Sequence, residues 1–363
     1  MTITETAPDR VAELDLATLE AFATKVVGDH AVANNAALAY LGDRLGLWRA
    51  LASVPSTTSA ELAGQTGLAE RYLREWLAAQ AAAGYLTYDP VAQRFTLPAE
   101  HAMVLADDDS PAALAGEYEV TAAIWAGIER LAHVFVTGEG IPWADQDPRV
   151  ATGVERFFRP LYTSSLVPEW LPAVDGLVER LRRGVRVLDV GCGLGTATRL
   201  MAQEFPASSF LGIDNHEESI RGANRNAERS GLANVDFTVA SAADFGGGPY
   251  DVICMFDTLH DLSDPVGALR HARASLAADG NLFIVEPGAS DRLEENLHPL
   301  GLAWYACSTA LCVPGSLVRS GGQVSLGAQA GPARTLEVLA EAGFAGARQA
   351  AATQFNLVFE ARG

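Results

Sequence analysis

The pattern of apolar and polar residues changes character near residue 185 of this chain. Before that point, Ala- and Leu-rich segments with few helix breakers predict helices. After it, short apolar β-prone runs alternate with helical stretches. The runs are "VRVLDV", "FLGID", "VDFTVA", "YDVICMF" and "NLFIVE". Such alternation predicts a parallel sheet with helices on both of its faces.

Residues 12–105 predict a small, mostly helical unit. Two or three helices are expected in "LATLEAFATKVVGDHAVANNAALAYLGDRLGLWRAL". Thr58 and Glu61 form a capping-box pattern for a short helix that ends at Gly67, and a second helix runs to Gly84. Two short strands around an Asp-Pro turn follow in "YLTYDPVAQRFTL". Helix, turn, helix and hairpin is the order of a winged helix.

The rest of the chain completes an α/β prediction. Residues 106–184 predict one long helix in "PAALAGEYEVTAAIWAGIERLAHVF" and an aromatic stretch, "VERFFRPLYTSSLVPEW", broken by prolines. The C-terminal "FAGARQAAATQFNLVFEARG" predicts an antiparallel edge hairpin, which brings the sheet to seven strands. We therefore expect a doubly wound, Rossmann-like sheet domain over 185–363, a helical connector over 106–184 and a mainly helical domain over 1–105.

Composition and charge limit the number of domains and the classes of binding partner. The chain has 363 residues, 49% of them hydrophobic, which is enough for two domains with a sizeable core. With 26 Lys+Arg against 45 Asp+Glu the formal charge is −19, so the surface repels nucleic acid and anionic membranes. The second winged-helix helix carries Glu70, Arg71, Arg74 and Glu75, a balanced set and not a basic DNA-reading face.

The cysteines and termini indicate a reducing compartment. Cys192, Cys254, Cys307 and Cys312 form neither a C-x-x-C pair nor a metal-ligand spacing, so no metal is predicted and the last two are expected to be spectators. The N-terminal "MTITETAPDR" lacks a signal-peptide layout, and no apolar run approaches the ~20 residues that span a bilayer. We expect a cytoplasmic protein without a membrane partner.

The segment "VLDVGCGLGTATRL" (187–200) predicts a ligand-binding loop between a strand and a helix. Gly191, Gly193 and Gly195 allow a sharp turn and let a ligand lie against bare backbone. The dinucleotide fingerprint differs, because Thr196 stands at its last glycine. Asp189, two residues before the loop, would repel a pyrophosphate but suits a ligand that carries an ammonium group.

Further acids follow the next two strands. Asp214 ends the second strand, where an acid accepts hydrogen bonds from both ribose hydroxyls in Rossmann-type sheets. Asp244 follows the third strand and is predicted to accept from an adenine amino group, with Phe245 covering the ring. Because ligands bind at the carboxyl ends of parallel strands, these residues are expected to form one site.

Together these motifs resemble those of class I S-adenosylmethionine-dependent methyltransferases. "VLDVGCGLG" is similar to the first motif of that family, and Asp214, Asp244 and "YDVICMFDTLHDL" stand where its later motifs belong, over about 185–290. The resemblance implies S-adenosyl-L-methionine as cofactor, with the glycine loop at its methionine part. Asp214 would then bind the ribose and Asp244 the adenine. A Rossmann domain with a chance glycine loop is the alternative.

The winged-helix order ahead of this core resembles small-molecule O-methyltransferases of plant and bacterial secondary metabolism. "GAQAG" and "FNLVFEAR" near the C-terminus resemble a group of actinobacterial methyltransferases. The resemblance implies that the N-terminal domain forms a homodimer and that 106–184 includes an active-site lid. A winged-helix transcription regulator that responds to S-adenosylmethionine or a metabolite is the alternative from another class.

A histidine after the fourth strand takes the acceptor's proton in those O-methyltransferases, within a His-Asp-Trp-Ser-Asp type motif. This chain has "HDLSD", starting at His260, with leucine in place of tryptophan. An imidazole with an unperturbed pKa of ~6.5 is largely unprotonated near neutrality, which suits a general base. A structural histidine is the alternative, and methyl transfer would then work by positioning alone.

The remaining candidates surround the predicted acceptor site. They are Asp257, Glu286, His298, Trp304, Phe158 and Tyr162. We expect Asp257 to line the methionine end, Glu286 to orient His260 or bind the acceptor, and the others to cover the acceptor. The predicted reaction is methyl transfer to a hydroxyl of a small, largely apolar natural product. Transfer to nitrogen, carbon or sulfur by positioning alone is the alternative.

Overall fold

The computed structural model describes residues 14–318 and 325–363. The chain divides into two compact units, the first ending at Ala102 and the second beginning at Met103. The segment "MTITETAPDR", from which no signal peptide was predicted, lies outside the described residues. The three-part division at residues 105 and 184 stays a prediction.

The first unit has the element order of a winged helix. Its helices are α1 (Leu16–Arg44), α2 (Leu47–Ala52), α3 (Ser59–Thr66) and α4 (Glu70–Ala82), followed by strands β1 (Thr87–Asp89) and β2 (Arg94–Thr96) and by α5 (Ala99–Leu105). The predicted capping box is present, because the Thr58 hydroxyl accepts from the Glu61 N–H (3.2 Å) and the Glu61 carboxylate accepts from the Thr58 N–H (2.9 Å). Strands β1 and β2 pair antiparallel, as the Asp-Pro turn predicted.

Helix α4, which a DNA-binding winged helix would use for reading, is electrically balanced. Arg71 pairs with Glu75 at 2.6 Å, and Arg74 pairs with Glu70 at 2.8 Å. Each arginine is thus neutralised by an acid one turn away on the same helix. The face lacks the clustered positive charge on which binding to a phosphate backbone depends.

The second unit begins with helices that differ in two places from the prediction. They are α6 (Ala115–Ala126), α7 (Ile128–Thr137), α8 (Arg149–Leu161) and α9 (Leu177–Arg183). The single long helix predicted over 111–135 is wrong, because Gly127, a poor helix former, separates α6 from α7. The proline-containing stretch stays helical: α8 passes through Pro160 and continues as a π-helical segment, Tyr162–Trp170. The π-helical segment itself contains the second proline, Pro168.

A seven-stranded sheet forms the centre of the second unit. Its strands are β3 (Arg186–Val190), β4 (Ser209–Asp214), β5 (Val235–Val239), β6 (Tyr250–Phe256), β7 (Leu276–Pro287), β8 (Arg348–Ala352) and β9 (Asn356–Arg362). They lie in the order β5-β4-β3-β6-β7-β9-β8. The first five in that order are parallel, whereas β9 pairs antiparallel with both β7 and β8. The predicted doubly wound sheet and its edge hairpin are confirmed.

Helices cover both faces of this sheet. They are α10 (Thr196–Glu204), α11 (Glu217–Ser230), α12 (Pro265–Ser275), α13 (Pro299–Cys307), α14 (Val313–Ser316) and α15 (Gly331–Glu341). Successive residues of the central strands point to opposite faces, so one core contains Val187 and Cys254 and the other contains Leu188 and Ile253. The strand order reverses between β3 and β6. A crevice for ligands opens at the carboxyl ends of the strands at such a reversal.

Candidate active site

A cavity of about 810 Å³ in the second unit lies at the carboxyl ends of β3, β4 and β6. The loops that follow these strands line it, together with parts of helices α8 and α13. The structure brings many of the predicted site residues together here: Asp189, Gly191, Gly193, Asp214, Asp257, His260, Phe158, Tyr162 and Trp304. It does not place Gly195, Asp244, Phe245, Glu286 or His298 on the cavity wall.

The glycine loop follows β3 and has backbone conformations that favour glycine. Gly191, Gly193 and Gly195 have φ values of +76°, +52° and +77°. A Cβ at Gly191 would collide with Thr258, and one at Gly195 would collide with the ring of Phe237. A Cβ at Gly193 would meet nothing within 4 Å, so the backbone there is bare toward the cavity. Gly195 therefore serves packing, and Gly193 leaves room for a ligand.

Asp189 lies at the end of β3 with its side chain buried. One carboxylate oxygen, Oδ2, accepts a hydrogen bond from the Thr198 hydroxyl. The other, Oδ1, is buried and has no hydrogen-bond partner among the described residues. Burial raises the pKa of Asp189 to about 7. A ligand ammonium group would supply both the missing hydrogen bond and the counter-charge.

Asp214 ends the neighbouring strand β4 and is tied to the glycine loop. Its Oδ2 accepts from the Gly193 N–H (3.0 Å), and its Oδ1 accepts from the His216 N–H (2.8 Å). Burial raises the pKa of Asp214, and these backbone hydrogen bonds oppose that shift. Each carboxylate oxygen has a second lone pair, so the group can also accept from the hydroxyls of a ribose.

The structure does not place Asp244 and Phe245 on the cavity wall, so their contact with an adenine stays a prediction. Asp244 is exposed on a turn, away from the cavity wall. Phe245 is buried and packs edge-to-face on His271, with ring centroids 4.3 Å apart. An apolar ring is more stable in this core than in a partly open crevice. The residues of this loop that line the cavity come before Asp244 in the chain. They are Ser241, Ala242 and Ala243.

His260 is buried between two carboxylates in the turn after β6. Its Nδ1 is 2.6 Å from Oε2 of Glu286, whose Oε1 accepts from the Leu259 N–H (2.9 Å). Its Nε2 is 3.3 Å from Oδ1 of Asp261. Both oxygens of Glu286 are therefore engaged, which fits the predicted orienting role, and Glu286 is not on the cavity wall.

The electrostatics of His260 differ from the sequence expectation of an ordinary imidazole. Burial disfavours its protonated form, but the carboxylates of Asp261 and Glu286 outweigh burial and raise the pKa of His260 well above its usual value. The two carboxylates therefore make the imidazole a stronger base than an ordinary histidine.

Asp257 and Tyr162 connect the two ends of the cavity. Asp257 has a φ of +49°, which is rare outside glycine, and burial raises its pKa well above the usual value. Its Oδ2 accepts from the Tyr162 hydroxyl (3.2 Å), whereas Oδ1 is buried without a hydrogen bond to any described residue. The Tyr162 ring stacks on Phe158, with centroids 5.7 Å apart. Phe157 contacts both Phe158 and Trp304, which completes an aromatic wall.

Three side chains have places that the sequence did not predict. Cys312, expected to be a spectator, lines the cavity next to His260 and Asp261. Glu117 of α6 also lines it, and burial raises its pKa to about 7. The only signal for Glu117 was an acid within the apolar segment "AGEYEVTAAIWA". His298 is not on the cavity wall: its Nδ1 accepts from the Gly301 N–H (3.1 Å), and it caps α13 from an exposed position, so its predicted contact with the acceptor stays a prediction.

The sheet order, the loop geometry and family comparison agree on the nature of the second unit. Residues 181–342 match the family model described as a methyltransferase domain. These residues form a methyltransferase domain. The methyltransferase domain contains the glycine loop, Asp214 and His260, and the predicted family is confirmed. Residues 33–107 match the Rv2258c-like winged HTH domain, which confirms the winged-helix prediction.

Relatives of known name are methyltransferases as well. The ubiquinone biosynthesis O-methyltransferase of Actinobacillus pleuropneumoniae is 33% identical over 107 residues, 28% of this chain and 44% of that protein. This chain spans about half the length of the curated relatives that it matches. The shared segments cover only 28–36% of this chain, so they do not define the activity of the whole protein.

Solved structures resemble the chain over nearly its whole length. Mitomycin 7-O-methyltransferase has a TM-score of 0.70 and 21% identity, covering 96% of this chain and 100% of that one. Human N-acetylserotonin methyltransferase, solved with S-adenosylmethionine, has a TM-score of 0.68 and 16% identity, covering 94% and 97%. At sequence identities this low, the similarity shows that the chains share a fold and shows nothing about the acceptor. In the described part of this chain, no helix is both long and apolar enough to cross a membrane.

Proposed function

We propose that this protein transfers the methyl group of S-adenosyl-L-methionine to a hydroxyl of a small, largely apolar natural product. The observation that carries the proposal is Asp189 Oδ1, a buried carboxylate oxygen without a hydrogen bond, beside the bare backbone of Gly193. This pair suits a ligand with an ammonium group and does not suit a pyrophosphate. The named relatives, which include two O-methyltransferases, support oxygen as the acceptor atom.

The residues around the glycine loop fit the cofactor. Asp189 would accept from its ammonium group, Gly193 would lie against its methionine part, and Asp214 would accept from its ribose hydroxyls. When bound, S-adenosyl-L-methionine supplies an electrophilic methyl group on a sulfonium. The protein's contribution is to hold the cofactor and the acceptor in contact and to exclude water from between them.

The other end of the cavity suits an acceptor with an apolar body. Phe157, Phe158 and Trp304 offer aromatic surface for such a body. Glu117 and Asp257 are two buried acids in the same cavity, and an acceptor cation would favour their ionised forms whereas an acceptor anion would oppose them. An acceptor with a carboxylate would be repelled there, so we propose that the acceptor is neutral or cationic.

We propose that His260 acts as general base and that Glu286 positions it. With Nδ1–H donated to Glu286, Nε2 is the nitrogen that can accept the proton of an acceptor hydroxyl. Asp261 and Glu286 would then stabilise the imidazolium that forms. Removing the proton while the methyl group is transferred assists a phenol, whose pKa is ~10.

We also propose that the first unit forms a homodimer through helix α1. This helix has 29 residues and exposes a series of large apolar side chains: Leu16, Leu19, Phe22, Val26, Val27, Val32 and Leu41. A series of this size on one helix is expected to be covered by another surface. The same helix of a second copy of the chain would cover these side chains in a two-fold symmetric dimer.

Two measurements test the proposed activity. Calorimetry should detect binding of S-adenosylhomocysteine to the wild type, and Asp214→Asn should weaken it by about 1.5–3 kcal/mol because charged hydrogen bonds are lost. Labelled S-adenosyl-L-methionine with a panel of phenols, amines and thiols should give a methylated phenol by mass spectrometry. Absence of binding by the folded wild type would contradict the proposal, and methylated amines or thiols alone would contradict the choice of oxygen.

A further inference from the structure

His260, Asp261 and Cys312 form a compact cluster of three different ligand types. A nitrogen of the imidazole, a carboxylate oxygen and the sulfur all lie within 4.8 Å of one another. His260 and Asp261 are in the turn Leu259–Asp261, and Cys312 ends the π-helical turn Ser308–Cys312. His260 and Cys312 are almost fully buried, and Asp261 is partly buried. The cluster is therefore held by two ordered elements rather than by a loose surface loop.

The geometry between His260 and Asp261 fits metal ligands better than a direct hydrogen bond. Hydrogen bonds between charged groups are about 2.7–2.9 Å long. Nε2 of His260 and Oδ1 of Asp261 are 3.3 Å apart, whereas Nδ1 and Glu286 are 2.6 Å apart. Ligands about 2.0–2.1 Å from a tetrahedral zinc ion are about 3.3 Å from each other. The Asp261 carboxylate also contacts the Cys312 thiol, so its two neighbours in the cluster are both side chains of metal-ligand type.

Glu286 prepares His260 for such a role. Histidines that bind metals usually donate their second ring N–H to a carboxylate, which fixes the tautomer and the ring orientation. The contact of Nδ1 with Glu286 Oε2 is of this kind and leaves the Nε2 lone pair facing Asp261 and Cys312. An ion bound at Nε2 would complete the common arrangement in which a carboxylate orients a histidine that binds a metal.

We propose that His260, Asp261 and Cys312 bind a divalent transition metal ion of the zinc class, with one coordination position open to the cavity. A set of imidazole, carboxylate and thiolate suits Zn²⁺ and not Mg²⁺ or Ca²⁺, which prefer oxygen ligands. All three residues line the cavity, so the fourth ligand is water or an acceptor heteroatom. Binding displaces the Cys312 thiol proton and any proton on Nε2 to solvent. Nε2 cannot bind the metal and accept a proton at the same time, so the general-base step proposed above belongs to the metal-free protein and the bound metal would block it.

The test uses the full-length protein, freed of metal with a chelator, and Co²⁺ as a visible probe. One equivalent of Co²⁺ should give a thiolate charge-transfer band in the near ultraviolet and the intense visible bands of a tetrahedral site. Zn²⁺ should abolish both by displacement. Cys312→Ser should lose the charge-transfer band and weaken Zn²⁺ binding at least tenfold. Glu286→Gln should weaken Zn²⁺ binding by about 10–100-fold, as loss of an outer carboxylate does elsewhere.

Cys307→Ser is the matched control, because this cysteine lies in the same cavity but is not one of the three ligands. It should keep the band and the affinity. The inference is overturned if the wild type binds neither ion saturably, or if the band persists in Cys312→Ser. If Cys312→Ser does not fold, Asp261→Asn tests the same site. Binding of S-adenosylhomocysteine, measured on the same metal-free samples, separates a failure here from a failure of the proposed function.

Discussion

Replacement of Asp189 by asparagine should stabilise the ligand-free protein while it weakens cofactor binding. The carboxylate is buried, one of its oxygens has no hydrogen bond to a described residue, and burial raises its pKa from 3.8 to about 7. An acid with a raised pKa favours folding fully only below its unfolded pKa. That contribution is lost as the pH rises through about 7. Asparagine is neutral and can still accept from the Thr198 hydroxyl.

The magnitude follows from the size of the shift. About 3 pKa units at 1.36 kcal/mol each correspond to about 4 kcal/mol at pH 8, which we take as the upper limit. We expect Asp189→Asn to raise the free energy of unfolding by about 1–4 kcal/mol at pH 8, and by much less below pH 4. Urea denaturation across this pH range measures the difference directly.

Cofactor binding should show the opposite dependence on pH. A ligand ammonium group needs ionised Asp189, and with a pKa of about 7 the ionised fraction falls about tenfold from pH 8 to pH 6. Calorimetry should therefore find S-adenosylhomocysteine bound about tenfold more weakly by the wild type at pH 6. Asp189→Asn should bind it more weakly at pH 8 and with little pH dependence.

Asp236→Asn is the control, because this aspartate is exposed on β5 and does not belong to the glycine loop or to the strand before it. It should change neither stability nor binding. The reasoning is refuted if Asp189→Asn is no more stable than the wild type at pH 8 and binds S-adenosylhomocysteine equally well. That result would mean that Asp189 is neither strained by burial nor directed at a ligand.

Three other predictions concern the acceptor site and the first unit. His260→Ala should lower the methyl-transfer rate by about 10²–10⁴ with S-adenosylhomocysteine affinity nearly unchanged; an unchanged rate on a phenol would remove it from the mechanism. Glu117→Gln should abolish a preference for aminoalkyl phenols over matched carboxyalkyl phenols, measured by competition; an unaltered preference would exclude that role. Phe22→Glu should convert a dimer into a monomer by light scattering, and a wild-type monomer at micromolar concentration would contradict the dimer.

The sequence predicted features whose causes are local. The glycine loop could be placed because Gly191 and Gly193 need conformations that other residues rarely adopt. The capping box at Thr58 and the edge hairpin were likewise encoded within a few residues. The parallel sheet could be predicted because each apolar run is long enough for one strand only and a helical stretch separates it from the next run.

The features that escaped prediction depend on residues far apart in the chain. Glu286 is 26 residues from His260 and Cys312 is on a different helical segment, so their contributions to the raised pKa of the imidazole have no local sign, whereas that of Asp261 comes from the adjacent residue. Asp244 and Phe245 lie off the cavity wall for another reason. The family pattern gives the approximate position of an acid after the third strand, but packing against His271 decides which side chains turn inward.

Asp257 shows which kind of selection has acted on this cavity. Its left-handed backbone would be relaxed by glycine, and its buried, partly unpaired carboxylate would be better replaced by a neutral group. A lineage under selection for stability alone would therefore have lost this aspartate quickly. We propose that the protein keeps this less stable residue because the carboxylate contacts a ligand. Directed evolution for heat resistance without an activity screen should replace Asp257 early, and methyl-transfer activity should be lost with it.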